Sequence, residues 1–202
     1  FIGIVILKVS LFPIQKVVFL GDSLTAGYQL NERDAFPNQL EQLIGSQNIK
    51  VYNRGVSGDT TYTLLNRLVF SLKPTPDIAF IAIGANDGLR GMPAMNTKQN
   101  ISQMITILKH KQIRVILAGM TLPQNYTKSY IQSFENVFPD LAKEYQIPIM
   151  PFLLTAVAGV PTLNLADGIH PNKAGHKKIA ESIQRFLKEE NLISSQNQWL
   201  ID

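Results

Sequence analysis

One stretch decides the fold of this chain, Lys16-Val-Val-Phe-Leu-Gly-Asp22-Ser23-Leu-Thr-Ala-Gly27-Tyr28. Its β-branched and aromatic residues predict a buried strand over 17–20, which ends at the Gly-Asp pair. A serine follows at once, so the strand presents a hydroxyl at its carboxyl end. In a parallel α/β sheet, ligands and catalytic groups gather at that end. The same residues also fit a turn with a capping serine, so the stretch alone leaves both interpretations open.

The composition is typical of one globular domain. The chain has 202 residues, of which 45% are hydrophobic and 17% charged, enough for a single core. No window reaches the roughly 20 apolar residues of a membrane span. A net charge of +4 falls short of the basic footprint of a nucleic-acid-binding domain. The absence of cysteine excludes disulfides, thiolate metal sites and a cysteine nucleophile.

Residues 1–13 form an apolar lead, and residues 14–202 are predicted to form a single domain. The run Phe1-Ile-Gly-Ile-Val-Ile-Leu7, followed by Lys8, fits the remnant of a secretory signal or an extension of the first strand. We expect a periplasmic or secreted protein, with the cytoplasm as the alternative location.

Strands and helices alternate along the rest of the chain. Four further strands are predicted at 49–53, 77–84, 113–118 and 147–150. Five helices are predicted at 36–44, 60–71, 97–111, 127–145 and 173–188, with Pro139 kinking or splitting the fourth. This alternation predicts an α/β fold, a three-layer flavodoxin-like sandwich with a five-stranded parallel sheet in the order 2-1-3-4-5 and helices on both faces.

Three histidines are present, and their settings differ. His110 lies at the end of a predicted helix and His176 at the predicted exposed start of the last helix, so both are interpreted as structural or surface residues. His170 stands in Asp167-Gly-Ile-His170-Pro171, at the end of a long loop. A carboxylate three residues before a histidine can bind one ring nitrogen and leave the other free as a base. Alone, this spacing is more often a local turn.

Ser23, His170 and Asp167 together supply the nucleophile, the base and the orienting group that serine catalysis needs. In the predicted sheet, the loops that carry them emerge at the same edge. Gly58, in a glycine-rich turn after the second strand, can offer a backbone N–H, and Asn86, after the central strand, a side-chain amide. With the N–H of Ser23, these groups are three candidate donors for an oxyanion hole.

Four sequence blocks resemble those of the SGNH, or GDSL, hydrolases: Gly21-Asp-Ser-Leu24, Gly58, Gly84-Ala-Asn-Asp87 and Asp167-Gly-Ile-His-Pro171. They occur in the family's order and span most of the chain. Together with Leu122-Pro-Gln-Asn-Tyr126, they are most similar to the bacterial thioesterase I, lysophospholipase and arylesterase group. Ala85 departs from the pattern, since a glycine often precedes the asparagine.

The resemblance implies that Ser23 is the nucleophile, His170 the base and Asp167 its orienting acid. It also implies an oxyanion hole formed by Ser23, Gly58 and Asn86. Asp22, although it stands beside the nucleophile, is assigned a structural role.

The predicted function is hydrolysis of carboxylic ester or thioester bonds in acyl substrates through an acyl-enzyme. An α/β-hydrolase is disfavoured because no Gly-x-Ser-x-Gly surrounds Ser23. The alternative is a non-catalytic flavodoxin-like protein that binds a phosphate or nucleotide at residues 21–27. That alternative gives Asp167 and His170 no role.

No cofactor or metal is expected, and the expected partner is a small acyl ester or thioester, bound by a monomer without nucleic acid or membrane insertion. Apolar residues in three loops either belong to the core or line the mouth of the site, where they would favour medium-chain acyl groups over sugars: Leu89, Met92, Met95, Met120, Leu122, Phe152, Leu153, Leu154, Val157 and Val160.

Overall fold

The computed structural model describes residues 14–45 and 48–193, so the predicted lead over 1–13 lies outside the described residues. Five strands form one parallel sheet: β1 (Gln15–Gly21), β2 (Ile49–Gly55), β3 (Ile78–Ala82), β4 (Arg114–Ala118) and β5 (Ile149–Met150). Their order is β2-β1-β3-β4-β5, which confirms the predicted topology. Every residue of β3 is buried, as expected of a central strand with helices on both faces.

The described residues contain eight α-helices: α1 (Ser23–Ala26), α2 (Phe36–Ile44), α3 (Thr61–Ser71), α4 (Ala85–Leu89), α5 (Ala94–His110), α6 (Lys128–Glu135), α7 (Val137–Tyr145) and α8 (Lys173–Glu189). Helix α2 packs against α8, while α3, α5 and α7 pack in succession. These two groups form the outer layers of the flavodoxin-like sandwich. None of the described helices is both long and apolar enough to cross a membrane.

Aromatic side chains join β1, the strand that precedes Ser23, to the helical layer and to β3. The fully buried ring of Phe19, in β1, lies 5.6 Å from Phe36 at the start of α2 and 5.1 Å from Phe80 in β3. Such rings remove large apolar areas from water. The strand that precedes Ser23 is therefore held by α2 on one face of the sheet and by the neighbouring strand β3.

The fourth predicted helix is split, but not at the predicted residue. The structure separates α6 from α7 at Asn136, and Pro139 is the third residue of α7. The first turn of a helix has no intrahelical acceptor for its N–H groups, so a proline fits there without losing a hydrogen bond. The prediction also missed α1 and α4, which have four and five residues and show no periodic apolar pattern.

The predicted exposure of His176 was wrong, because 1% of its surface is exposed, but the structural interpretation agrees with its contacts. Its Nδ1 accepts the N–H of Phe36 at 3.0 Å and so caps the first turn of α2. Burial lowers the pKa of His176 to about 4. The residue belongs to the stripe of α8 that includes Ile179 and Ile183 and packs on α2.

We expect acid to weaken the fold through His176. An unfolded histidine has a pKa of about 6.5. Between pH 6.5 and about 4, the unfolded state therefore binds a proton at His176 that the folded state does not bind, and acid favours unfolding. Relative to His176→Gln, the wild-type free energy of unfolding should fall by about 2 kcal/mol from pH 7 to pH 5. Urea unfolding at both values measures this difference, and buried carboxyls common to both proteins cancel.

His110→Gln removes an exposed histidine at the end of α5 and tests whether the effect belongs to the buried position. A wild type and His176→Gln with parallel pH dependences would contradict the assignment.

Candidate active site

The loop after β5 returns to the carboxyl end of β1 and places three polar side chains in a chain of contacts. Ser23 Oγ lies 2.9 Å from His170 Nε2, although the two residues are 147 positions apart in sequence. His170 Nδ1 lies 2.8 Å from Asp167 Oδ2. The structure therefore brings together the three residues that the sequence singled out as nucleophile, base and orienting acid.

Ser23 is the first residue of α1, and the two residues before it make that position possible. The Asp22 carboxylate accepts the N–H of Leu24 at 2.9 Å and caps the short helix. At Gly21, a Cβ would lie 2.4 Å from the carbonyl oxygen of Ala82 and closer still to Thr25 Oγ1. Only glycine lets β1 pass this close to β3 and α1.

Asp22 is fully buried, and this burial raises the pKa of its carboxyl to about 7. Its Oδ1 is the capping atom, while Oδ2 has no hydrogen-bond partner among the residues that the structure describes. Neither oxygen bonds the His170 ring, whose Nδ1 is held by Asp167. The contacts of Asp22 are thus those of a helix cap.

Asp167 and His170 form a local unit. Asp167 Oδ1 accepts the backbone N–H of Ile169 at 2.9 Å and that of His170 at 3.0 Å, and Oδ2 binds the imidazole. These donors, the His170 N–H foremost, lower the pKa of Asp167 to about 2. The carboxylate is therefore ionised throughout the neutral range and oriented from both sides.

The predicted oxyanion donors lie at the ends of β2 and β3. Gly58 has a φ of +87° in a turn closed by the bond from Asp59 N–H to Val56 O, a conformation that favours glycine. Asn86 Nδ2 donates to Asp59 O at 2.8 Å, which fixes the amide and leaves its second N–H for a ligand. Within 14–45 and 48–193, no protein acceptor takes the N–H of Ser23 or Gly58.

A cavity of about 590 Å³ opens beside these groups and is largely apolar. Ser23, Asn86 and His170 lie in its wall, and Leu89, Met120, Leu122, Phe152 and Leu154, from the predicted apolar set, line it as well. The rest of that set lies elsewhere: Leu153 and Val157 are buried in the core, and Met92, Met95 and Val160 are not in the lining. The cavity joins the loops after β3, β4 and β5.

Comparison with known proteins agrees with this geometry. Residues 19–178 match the GDSL-like Lipase/Acylhydrolase family. The chain belongs to this family of hydrolases. It is 38% identical over 176 residues to the arylesterase of Vibrio mimicus, covering 86% of this chain and 88% of that protein. It is 34% identical over 189 residues to thioesterase 1/protease 1/lysophospholipase L1 of Escherichia coli K12, covering 93% and 90%.

Solved structures show the same fold. TesA superposes with a TM-score of 0.82 at 32% identity, covering 87% of this chain and 99% of that one. AlinE4, an SGNH-hydrolase family esterase, gives 0.75 at 33% identity, with 90% and 98% covered. These similarities confirm the predicted family, and an ester-cleaving hydrolase is favoured over the phosphate-binding alternative.

The sequence reasoning missed Arg67, on α3, which supports the site of this GDSL hydrolase from beneath. Its Nε donates to Asp59 Oδ2 at 2.7 Å, and Nη2 donates to Arg54 O at 2.8 Å and to Gly21 O at 3.3 Å. One guanidinium thus joins the end of β1, the end of β2 and the turn of Gly58. The sequence signal that could have indicated Arg67 was its position on α3 directly before Leu68, which is fully buried, since this places a charged side chain beside the core.

Asp87 was also missed, and it fastens α4 to α3. Its carboxylate accepts the Thr61 N–H at 2.9 Å and the Thr61 hydroxyl at 2.5 Å. Thr61 Oγ1 in turn accepts Asn100 Nδ2 at 2.9 Å. Burial raises the pKa of Asp87. This network holds Asn86, the neighbour of Asp87, against the turn that contains Gly58.

We expect Asn86→Ala to leave a folded protein whose kcat for a p-nitrophenyl ester is about 10²–10³-fold lower, the usual effect of removing one oxyanion donor. Steady-state kinetics, with circular dichroism to verify folding, measures the loss. Asn96→Ala, an exposed asparagine on α5, is the matched control and should keep wild-type kcat. Wild-type turnover in Asn86→Ala would remove Asn86 from the oxyanion hole.

Proposed function

We propose that this chain hydrolyses acyl esters or thioesters through an acyl-enzyme formed on Ser23. The supporting observation is the 2.9 Å contact between Ser23 Oγ and His170 Nε2, in line with the 2.8 Å contact between His170 Nδ1 and Asp167. With the Nδ1 proton directed to Asp167, Nε2 is the ring nitrogen that accepts the serine proton.

In the first half-reaction, Ser23 Oγ attacks the substrate carbonyl carbon while its proton passes to His170 Nε2. The carbonyl oxygen becomes an oxyanion, for which the N–H groups of Ser23, Gly58 and Asn86 are the proposed donors. The C–O or C–S bond then breaks, and the leaving alcohol or thiol takes the proton from Nε2. Water repeats the sequence and releases the acid and free Ser23.

Asp167 stabilises the imidazolium that forms at each proton transfer. Its pKa of about 2 means that it stays ionised throughout the neutral range, so it attracts the positive ring without taking the proton. The two backbone donors on Oδ1 keep Oδ2 directed at Nδ1. The Asp167 carboxylate therefore stabilises the charged imidazolium of the transition state more than it stabilises the neutral imidazole of the resting enzyme.

The proposed acyl group is a medium-length hydrocarbon chain. A cavity of about 590 Å³ lined by Met120, Leu122, Phe152 and Leu154 suits an apolar chain better than a hydroxyl-rich sugar. The names of the relatives, arylesterase and thioesterase 1/protease 1/lysophospholipase L1, support esters and thioesters with apolar acyl or aryl groups. A more distant relative, at 26% identity, is an acetylxylan esterase, so acetylated sugars form the comparison substrate.

We expect a fluorophosphonate to label wild-type protein at Ser23 and to abolish its esterase activity, because the reagent needs an activated serine. The structurally similar esterase EstA from Pseudoalteromonas sp. was solved inhibited by monoethylphosphonate. Intact mass and peptide mapping identify the adduct. Ser23→Ala should resist labelling, whereas wild-type protein that resisted it would contradict the proposed function.

A chain-length series should peak at medium-chain p-nitrophenyl esters, and Ala158→Phe should move the peak to shorter chains. Ala158 is exposed at the cavity wall, so a larger side chain fills the cavity without disturbing the core. kcat/KM for octanoyl and acetyl esters measures the shift. Ala156→Phe, exposed two residues earlier and outside the lining, is the control. A wild-type maximum at acetate would contradict the acyl-chain assignment.

A further inference from the structure

We propose that Tyr28 is a positioning residue, whose ring holds the His170 imidazole in place and stabilises its protonated form. The proposal rests on the proposed function, since it assigns a role at the same base. Tyr28 belongs to the opening stretch of sequence but has no part in the nucleophile, the acid or the oxyanion donors.

The Tyr28 ring covers a face of the imidazole. The two ring centroids are 4.4 Å apart and the ring planes are inclined by 36°. Ser23 and Asp167 hold the two ring nitrogens by hydrogen bonds, which act at the edge of the imidazole. The tyrosine acts across its plane instead. The two hydrogen bonds restrain the imidazole within its ring plane, and the tyrosine restrains it perpendicular to that plane.

A positive charge on the imidazole strengthens this contact. The face of an aromatic ring carries negative electrostatic potential and attracts a cation placed over it. His170 gains its positive charge when it takes the Ser23 proton, so the attraction is greater in the transition state than in the resting enzyme. An interaction that strengthens in this way accelerates the reaction.

The chain adopts an unusual local conformation to place Tyr28 there. Gly27 ends α1 with a φ of +80°, and a Cβ at this position would lie 2.7 Å from the Cβ of Ala35. The N–H groups of Gly27 and Tyr28 both donate to Ser23 O at 3.1 Å. Gln29 follows with a φ of +60°, a backbone conformation that residues other than glycine rarely adopt. The tyrosine is thereby tied to the backbone of the nucleophile itself.

Core packing does not account for this placement. The Tyr28 residue is 38% exposed and belongs neither to the buried hydrophobic cluster nor to the side chains packed against that cluster. The titratable groups around His170 are Asp167 on its own loop, Tyr28 beyond α1 and His176 on α8, whose charge interacts with that of His170. Only Tyr28 can be exchanged there without removing a hydrogen bond that the structure records.

The experiment compares Tyr28→Phe, which keeps the aromatic face, with Tyr28→Leu, which removes it. Tyr62→Leu removes a 58% exposed tyrosine on α3 and is the matched control. kcat and KM for a medium-chain p-nitrophenyl ester are measured from pH 5 to 9, with the thermal midpoint of each variant. Second-order rates of fluorophosphonate labelling report on Ser23 activation without substrate binding.

Tyr28→Phe should keep wild-type kcat, and Tyr28→Leu should lose about 3- to 10-fold in kcat and in labelling rate, with KM within about twofold. The acidic limb of kcat/KM in Tyr28→Leu should move down by roughly half a pH unit, because the protonated ring has lost a stabilising neighbour. Its thermal midpoint should stay well above the assay temperature, so that the loss of activity is not a loss of folded protein.

An unchanged acidic limb and kcat in Tyr28→Leu would overturn the proposal, as would equal losses in Tyr28→Phe and Tyr28→Leu, which would assign the effect to the hydroxyl. A change in KM alone would make Tyr28 a substrate contact and would also overturn it. Wild-type protein that resists the fluorophosphonate defeats the proposed function instead, so the two failures are distinguishable.

Discussion

The ion pair between Arg67 and Asp59 is the interaction on which the rest of the site depends. The guanidinium also donates to the carbonyl oxygen of Gly21, the last residue of β1, and to that of Arg54, the last but one of β2. Without it, a carboxylate and two carbonyl oxygens would lose their charged donor in a partly buried place, where unmade hydrogen bonds are costly. Because one planar group binds all three, the end of β1 and the turn of Gly58 keep a fixed separation.

The carboxyl groups around Ser23 divide into two kinds by environment. Burial raises the pKa of Asp22 and of Asp87. Asp22 accepts one backbone N–H that caps α1, and Asp87 accepts the backbone N–H and the hydroxyl of Thr61 at the start of α3. Asp167 stands at the surface, where backbone N–H donors lower its pKa. The three have the same side chain, but of these only Asp167 has a lowered pKa and binds an imidazole. Environment, more than proximity to the serine, decides which aspartate can assist a base.

The sequence was sufficient for the strand order, because each strand is a short apolar run between turn residues and each crossover is helical. It was also sufficient to name the residues that meet at the sheet edge, since Ser23 and His170 stand in motifs of fixed spacing. It was insufficient for Arg67 and Tyr28, whose partners lie on other elements of the fold. His176 was misjudged because a histidine in an amphipathic stripe resembles a polar surface residue until the cap of α2 is seen.

The turn from Asp167 to His170 has a consequence for how activity is kept or lost. Within four residues, Asp167 accepts two backbone N–H groups and binds Nδ1 of the imidazole, so the bonds between these two side chains are local. A hydrogen-bond contact of 2.9 Å joins His170 Nε2 to the Oγ of Ser23, which lies 147 residues earlier in the sequence. The contact between His170 and Ser23 therefore depends on how the loop after β5 packs against the carboxyl end of β1. A displacement of that loop by about an ångström would lengthen this contact, and a misplacement of that size between reacting groups can cost about a hundredfold in rate.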